Sequence, residues 1–245
     1  MGQALLPQWR DDWALFLDVD GTLLKIAATP AAVSVPARTI ELLERVQRRL
    51  AGALALVSGR RVADLDALFA PLRLPAAGAH GAERRDASGR YHAEELGSAL
   101  DPARRLLSAW ADEHRGALLE DKGVALALHY RAAPALEEAA RAAVAAAAAA
   151  AGPSFHVQDG KKVFEIKVGG HGKGAAIAQF MSEAPFAGRL PVFVGDDLTD
   201  EDGFEVVNGL GGHSIAVGVN RDTHARWHLA DESEVLRWLE TFAEG

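Results

Sequence analysis

Residues 15–24 read LFLDVDGTLL: an apolar run ends in two carboxylates, Asp18 and Asp20, then a glycine and a threonine, and turns apolar again. Trp13 to Leu17 has strand length, and Asp18 falls at its carboxyl end. In an open parallel sheet ligands bind beyond the carboxyl ends of the strands, so both carboxylates belong to a cleft rather than to the core. Two-residue spacing in extended backbone sends both side chains to the same side, which suits a nucleophile beside a general acid. Gly21 permits a tight turn and Thr22 offers a hydroxyl to a carboxylate. The plain alternative is an Asp-Gly turn after a strand. A calcium loop is disfavoured, because Leu23 and Thr29 stand where that loop needs Gly and Glu.

Strands and helices alternate on both sides of this stretch. Ile40, Leu43, Val46 and Leu50 recur at helical spacing within 37–50, and Ala53 to Val57 is a second apolar strand followed by a helix over 62–69. The pattern returns near the end, with a helix over 175–181 and strands over 190–194 and 214–219. The middle predicts a hairpin over 80–92 turning at Ser88-Gly89, a helix over 101–114, a strand over 124–130, an alanine-rich helix over 134–151, and a hairpin over 155–168 turning at Asp159-Gly160. The expected fold class is α/β: a Rossmann-like parallel-sheet core formed by residues 1–82 and 168–245, with an inserted α+β unit at 83–167. The five tryptophans read as packing residues.

Composition narrows the function. The 245 residues are 49% hydrophobic, enough for one large core or two smaller ones. Absence of cysteine removes disulfides, thiolate metal sites and a cysteine nucleophile, and fits a reducing compartment. No stretch approaches the ~18 apolar residues that span a bilayer, and the first residues lack a signal-peptide pattern, so the cytoplasm is expected. A net charge of −8 argues against nucleic-acid and anionic-membrane partners and favours a small ligand.

Three further sites accompany the first. The second strand ends in Ser58-Gly59-Arg60, a hydroxyl and a backbone turn able to grip a phosphate, with a helix cap by Ser58 as the alternative. Strand 190–194 ends in GDDLTDED, which gathers Asp196, Asp197, Asp200, Glu201 and Asp202 in one loop. Like charges so close call for a cation, and oxygen-only donors with phosphate chemistry point to Mg²⁺. Lys173, in GGHGKG before a helix, offers a fixed positive charge.

DVDGT at 18–22, SGR at 58–60, HGKG at 171–174 and GDDLTDE at 195–201 resemble, in order and spacing, the four motifs of the haloacid dehalogenase-like phosphatase superfamily. AGAHGAERR at 77–85, GKKVFEIK at 160–167 and GDDLTDEDGF are similar to segments of trehalose-6-phosphate phosphatases. The resemblance implies that Asp18 attacks phosphorus and forms an aspartyl-phosphate, while Asp20 protonates the leaving sugar oxygen and then deprotonates water. It implies Mg²⁺ on Asp18, Asp196 and the carbonyl of Asp20, with Asp200 acting through water and Asp197 as a further neighbour. Ser58 and Lys173 would bind the phosphoryl group, Arg60 the substrate, and Thr22 would support the first loop. The insert would be a cap that reads the disaccharide through Arg85, Lys122 and Glu165, with His129 and Arg131 as secondary contacts and His80 shaping the hinge. Trehalose 6-phosphate is the implied substrate, and a trehalose-6-phosphate synthase a possible functional partner.

Other readings stay open at this level. Gly170 to Ala175 matches the dinucleotide fingerprint G-x-G-x-x-A. A phospho-receiver carrying an acylphosphate on Asp18 is a non-enzymatic alternative, against which Asp20 argues. Sucrose-phosphate phosphatase, other sugar-phosphate phosphatases and a phosphomutase differ mainly in the cap.

Overall fold

The computed structural model describes residues 6–26, 33–93, 98–160, 162–218 and 221–244. The chain divides into two compact units, residues 1–92 with 172–245, and residues 93–171. It runs through β1 (Trp13–Leu17), α1 (Ala37–Arg49), β2 (Leu54–Val57), α2 (Val62–Leu68), β3 (Ala76–Gly78), β4 (Glu83–Arg85) and β5 (Tyr91–Ala93). Next come α3 (Asp101–Glu113), β6 (Leu118–Asp121), β7 (Ala125–His129), α4 (Glu137–Ala151), β8 (Phe155–Gly160) and β9 (Val163–Val168). The first unit then resumes with α5 (Lys173–Met181), β10 (Leu190–Gly195), α6 (Glu201–Gly209), β11 (His213–Val217), β12 (Trp227–Leu229) and α7 (Glu232–Glu244).

The first unit is built on an eight-stranded sheet in the order β12-β11-β10-β1-β2-β3-β4-β5, parallel from β12 to β3. β1 lies between β10 and β2, with Leu17 level with Val194 and Leu56. Every residue of β1 is buried, as expected of an interior parallel strand covered on both faces, and this is why WALFL reads as an unbroken apolar run. Phe16 packs with Phe180 and Phe186, and Phe193 with Phe204. Trp9 stacks on Trp238 and Phe242 beside Trp13, so these tryptophans pack, as expected.

The expected insert boundary at residue 83 is corrected. Ala79, His80 and Gly81 all take left-handed backbone, which reverses the chain directly after β3. β4 therefore returns antiparallel to β3, pairing Gly78 with Glu83 and Ala76 with Arg85, and the hairpin through Ser88-Gly89 extends the parallel sheet. The return to the first unit falls at Gly172 rather than at residue 168.

The second unit is a four-stranded antiparallel sheet in the order β6-β7-β9-β8. Leu126, Leu128, Phe164 and Ile166 share one face and form a core with Leu107 of α3 and Ala140, Val144 and Ala147 of α4. The alanine tract is thus a helix packed on a small sheet, ended by Gly152 at φ +113°. The second hairpin turns later than expected, since Asp159 and Gly160 are paired with Phe164 and Val163. β11 ends at Val217, and Val219 lies outside the described residues. Among the described residues no helix is long and apolar enough to cross a membrane.

Candidate active site

The order β10-β1-β2 brings three of the four motifs to adjacent strand ends. Asp18 extends β1, its backbone N–H donating to Val194 O at 2.9 Å. Gly21 sits at φ +93°, and a Cβ there would lie 2.1 Å from Asp196 Oδ2, so the DVDGT turn needs glycine both for its backbone and for the approach of the acidic loop. Thr22 is fully buried and its hydroxyl reaches Asp196 Oδ1 at 3.5 Å, a weak bond at best. Ser58 is buried at the end of β2 and accepts from the Arg60 backbone N–H at 3.2 Å. The His80 ring packs against Gly59, where a Cβ would lie 2.6 Å from Nε2. His80 shapes the second loop.

Lys173, the first residue of α5, is 3% exposed and donates to Asp18 Oδ1 at 2.7 Å and to Asp200 Oδ1 at 2.6 Å. Burial works against its charge, but Asp18 and Asp200 override it and hold the ammonium firmly protonated. Asp200 accepts from the amides of Asp196 and Asp197 at 3.0 and 2.9 Å through its other oxygen. Carboxylate oxygens of Asp18, Asp196 and Asp200 all lie within 4.8 Å of one another. Burial, then Asp18 and Asp200, push Asp196 up to about 9, and burial lifts Asp200 to about 6 against the pull of Lys173. With Asp196 ionised, three carboxylates around one ammonium leave two negative charges uncompensated, which fits a divalent cation that takes the place of the Asp196 proton.

The acidic segment is not one loop. Residues 198–200 form a 3-10 turn capped by Asp197, whose Oδ1 accepts from the Leu198 N–H, and Glu201 and Asp202 begin α6. Glu201 accepts from Thr223 and from the His224 backbone, so it secures the segment leading to β12 rather than a metal. Asp20 is gripped by Arg60 in a two-bond ion pair at 2.6 Å for both contacts, a partnership that spacing alone did not reveal.

The expected sugar contacts separate. Lys122 and Glu165 meet at 2.7 Å in the second unit. Glu165 lies in register with Ala127, Glu120 and Gln158, on the sheet face opposite Phe164 and Ile166. His129 contacts Glu120 at 2.8 Å, and this bond, with Lys122 nearby, holds the Glu120 carboxyl below its usual range. Glu120 went unread because β6 carries no strong apolar alternation. Arg131 is exposed just beyond β7.

Arg85 is corrected: it lies on β4 in the first unit, level with the start of β3, and its guanidinium donates to Asp66 at 2.5 Å and to Leu74 O at 2.6 Å. Its partners come from α2 and from the segment before β3 rather than from the four motifs. Arg85→Ala should therefore lower Tm by roughly 3–10 °C, from about 1–3 kcal/mol of lost charged hydrogen bonding, with kcat/KM held within about threefold. A parent-like melting curve with lost turnover would return Arg85 to the substrate.

The dinucleotide reading fails on topology. The fingerprint requires a parallel strand feeding the helix, whereas β9 pairs antiparallel with both β7 and β8.

The trehalose-phosphatase family profile matches residues 16–236. Trehalose-6-phosphate phosphatase of Escherichia coli (strain K12) is 48% identical over 236 residues, covering 96% of this chain and 88% of that protein. The crystal structure of a trehalose-6-phosphate phosphatase related protein aligns with a TM-score of 0.78 at 27% identity, over 94% of this chain and 96% of the other. A phosphatase of the haloalkanoate (HAD) enzyme superfamily from Bacteroides thetaiotaomicron, 16% identical, shares the fold at a TM-score of 0.61, over 98% of this chain and 99% of its own. One profile thus spans all four motifs, and nearly half the residues are identical to those of a single relative: the chain belongs to the trehalose-phosphatase family.

Proposed function

We propose that this chain hydrolyses trehalose 6-phosphate to trehalose and inorganic phosphate by two displacements at Asp18. The observation that carries the reading is the buried Asp18–Lys173–Asp200 chain beside Asp196 and Ser58 at adjoining strand ends. An Asp18 oxygen attacks phosphorus, the P–O bond to the sugar breaks, and Asp20 gives the departing oxygen its proton. Water then attacks the aspartyl-phosphate, Asp20 takes the water's proton, and the phosphorus–Asp18 bond breaks to restore the carboxylate. Asp20 is paired with Arg60 as a carboxylate, so substrate entry calls for an exchange of partners in which the guanidinium turns to phosphoryl oxygens and the freed Asp20 takes up from solvent the proton it then gives to the sugar oxygen. Lys173 and the Ser58 hydroxyl hold phosphoryl oxygens, and the buried Thr22 supports the first loop beside Asp196.

The donor set suits Mg²⁺, all oxygen and, once Asp196 gives up its proton, two charges short of neutral; Asp18, Asp196 and the carbonyl of Asp20 would hold the ion, with Asp200 acting through water. When bound, Mg²⁺ offsets negative charge on the transferring group. Both Asp200 oxygens are already engaged, in keeping with an indirect role. The cysteine-free, acidic composition suits the cytoplasm, where a trehalose-6-phosphate synthase would supply the substrate.

Phosphate release across a panel of sugar phosphates, with and without Mg²⁺, tests the reading; sucrose 6-phosphate outpacing trehalose 6-phosphate would overturn it. Glu165 separates recognition from chemistry. Glu165→Ala removes a hydroxyl acceptor and the partner of Lys122 in the second unit, while Asp18 and its neighbours stay in place. Its kcat/KM for trehalose 6-phosphate should fall roughly ten- to a hundredfold, and hydrolysis of p-nitrophenyl phosphate should change within about threefold. Equal losses on both substrates would move Glu165 into the fold or the catalytic machinery.

A further inference from the structure

We propose that Asp202 is a positioning residue for Lys173: its carboxylate fixes the start of α5 and thereby aims the ammonium between Asp18 and Asp200. This rests on the phosphatase reading above. α5 has no cap of its own, since Gly172 stands at the N-cap and no acidic residue occupies its first turn. Asp202, on α6, supplies one from outside. Its Oδ2 accepts from the Gly174 N–H at 3.0 Å, and its Oδ1 accepts from the Gly203 N–H at 2.9 Å. A carboxylate there also suits the positive end of α5.

The glycines flanking Lys173 record how closely Asp202 approaches. A Cβ at position 172 would sit 2.2 Å from Asp202 Oδ2, and one at 174 would sit 2.5 Å from the Asp202 carbonyl oxygen. HGKG is therefore shaped by α6 as much as by any phosphate. α6 and the turn before it hold Lys173 at both ends, through Asp200 on the ammonium and Asp202 on the next amide. A lysine side chain is flexible along its whole stem, so anchoring the backbone beside it removes one source of misalignment. Asp202 touches no reacting atom.

The test compares Asp202→Ala and Asp202→Asn with the parent, and Asp202→Ala in a Lys173→Met background, on trehalose 6-phosphate and p-nitrophenyl phosphate well below each variant's Tm. Asp202→Ala should lower kcat about ten- to thirtyfold on both substrates with KM within about threefold. Asp202→Asn, which keeps an oxygen for the Gly174 amide, should recover to within about threefold of the parent, and in Lys173→Met the second change should cost less than about twofold. The Gly174 amide resonance should move upfield in Asp202→Ala and not in Asp202→Asn. Parent-like kcat in Asp202→Ala, an equally slow Asp202→Asn, or a full additional loss in Lys173→Met would each overturn the proposal. A parent active on p-nitrophenyl phosphate but inert on trehalose 6-phosphate would overturn the substrate reading alone, since the ratios on the generic ester still decide Asp202.

Discussion

Asp18→Asn is expected to remove turnover of every phosphate ester, by on the order of 10⁴- to 10⁶-fold, while the protein folds normally. The amide has nearly the volume of the carboxylate, yet it cannot attack phosphorus, and no covalent intermediate can form. The amide oxygen could still accept one hydrogen bond from Lys173, which keeps its contact to Asp200, so the buried ammonium is not stranded. Removing one of three crowded carboxylates also eases the repulsion that raises Asp196. Melting at or above the parent Tm with no phosphate release is the expected pair of results. Turnover within about tenfold of the parent would refute the nucleophile assignment.

Magnesium removal should have the second large effect, and its pH dependence carries a sign. Chelation should abolish activity, and added Mg²⁺ restore it. In the chelated protein Asp196, pushed up to about 9 by burial and then by Asp18 and Asp200, keeps its proton at neutral pH. The same group in an unfolded chain titrates near about 4, so its contribution to stability is full below that pH and is lost as pH rises through about 9. Mg²⁺ takes the proton's place, hence its affinity should climb with pH by at most about tenfold per unit for one displaced proton. The Tm difference between loaded and chelated protein should accordingly be larger near about pH 8.5 than near about pH 6. A gap independent of pH would show that the cation does not compete with a proton on Asp196, and activity that survives thorough chelation would remove the site altogether.

Much of the catalytic site was legible because each motif sits just past an apolar strand. WALFL, LALV and LPVFV announce buried parallel strands, and the residues at the carboxyl end of such a strand face the cleft. Lys173 was legible as a cation before a helix, but its burial was not, since that depends on two carboxylates remote in sequence. The Ser88-Gly89 turn was legible, but the hairpin's place in the first unit was not, for a local reason: alanine and histidine seldom adopt left-handed backbone, so nothing in residues 79–81 except Gly81 signals a reversal. Arg85 is expected among the sugar contacts of the insert, yet both it and its neighbour Arg84 are buried in the first unit, because Asp66 and Glu183 arrive from separate segments to meet them. The acidic segment was read as one loop because its carboxylates were counted as ligands, although Asp197 three residues before Asp200 is also a helix-start signature.

The placement of β1 between a strand made soon after it and one made much later sets the order in which the molecule can mature. Asp18 and Lys173 are separated by 155 residues, and the bond between them closes a loop that contains the whole second unit. During synthesis the contiguous second unit emerges complete before β10 does, so its local antiparallel pairings can form while the larger sheet still lacks three of its eight strands. Until then the nascent first unit exposes one unpaired edge of β1, a strand wholly buried in the finished fold. Catalytic competence is consequently a late event of biosynthesis, reached only when β10 seals that edge and carries Asp196 to Asp18.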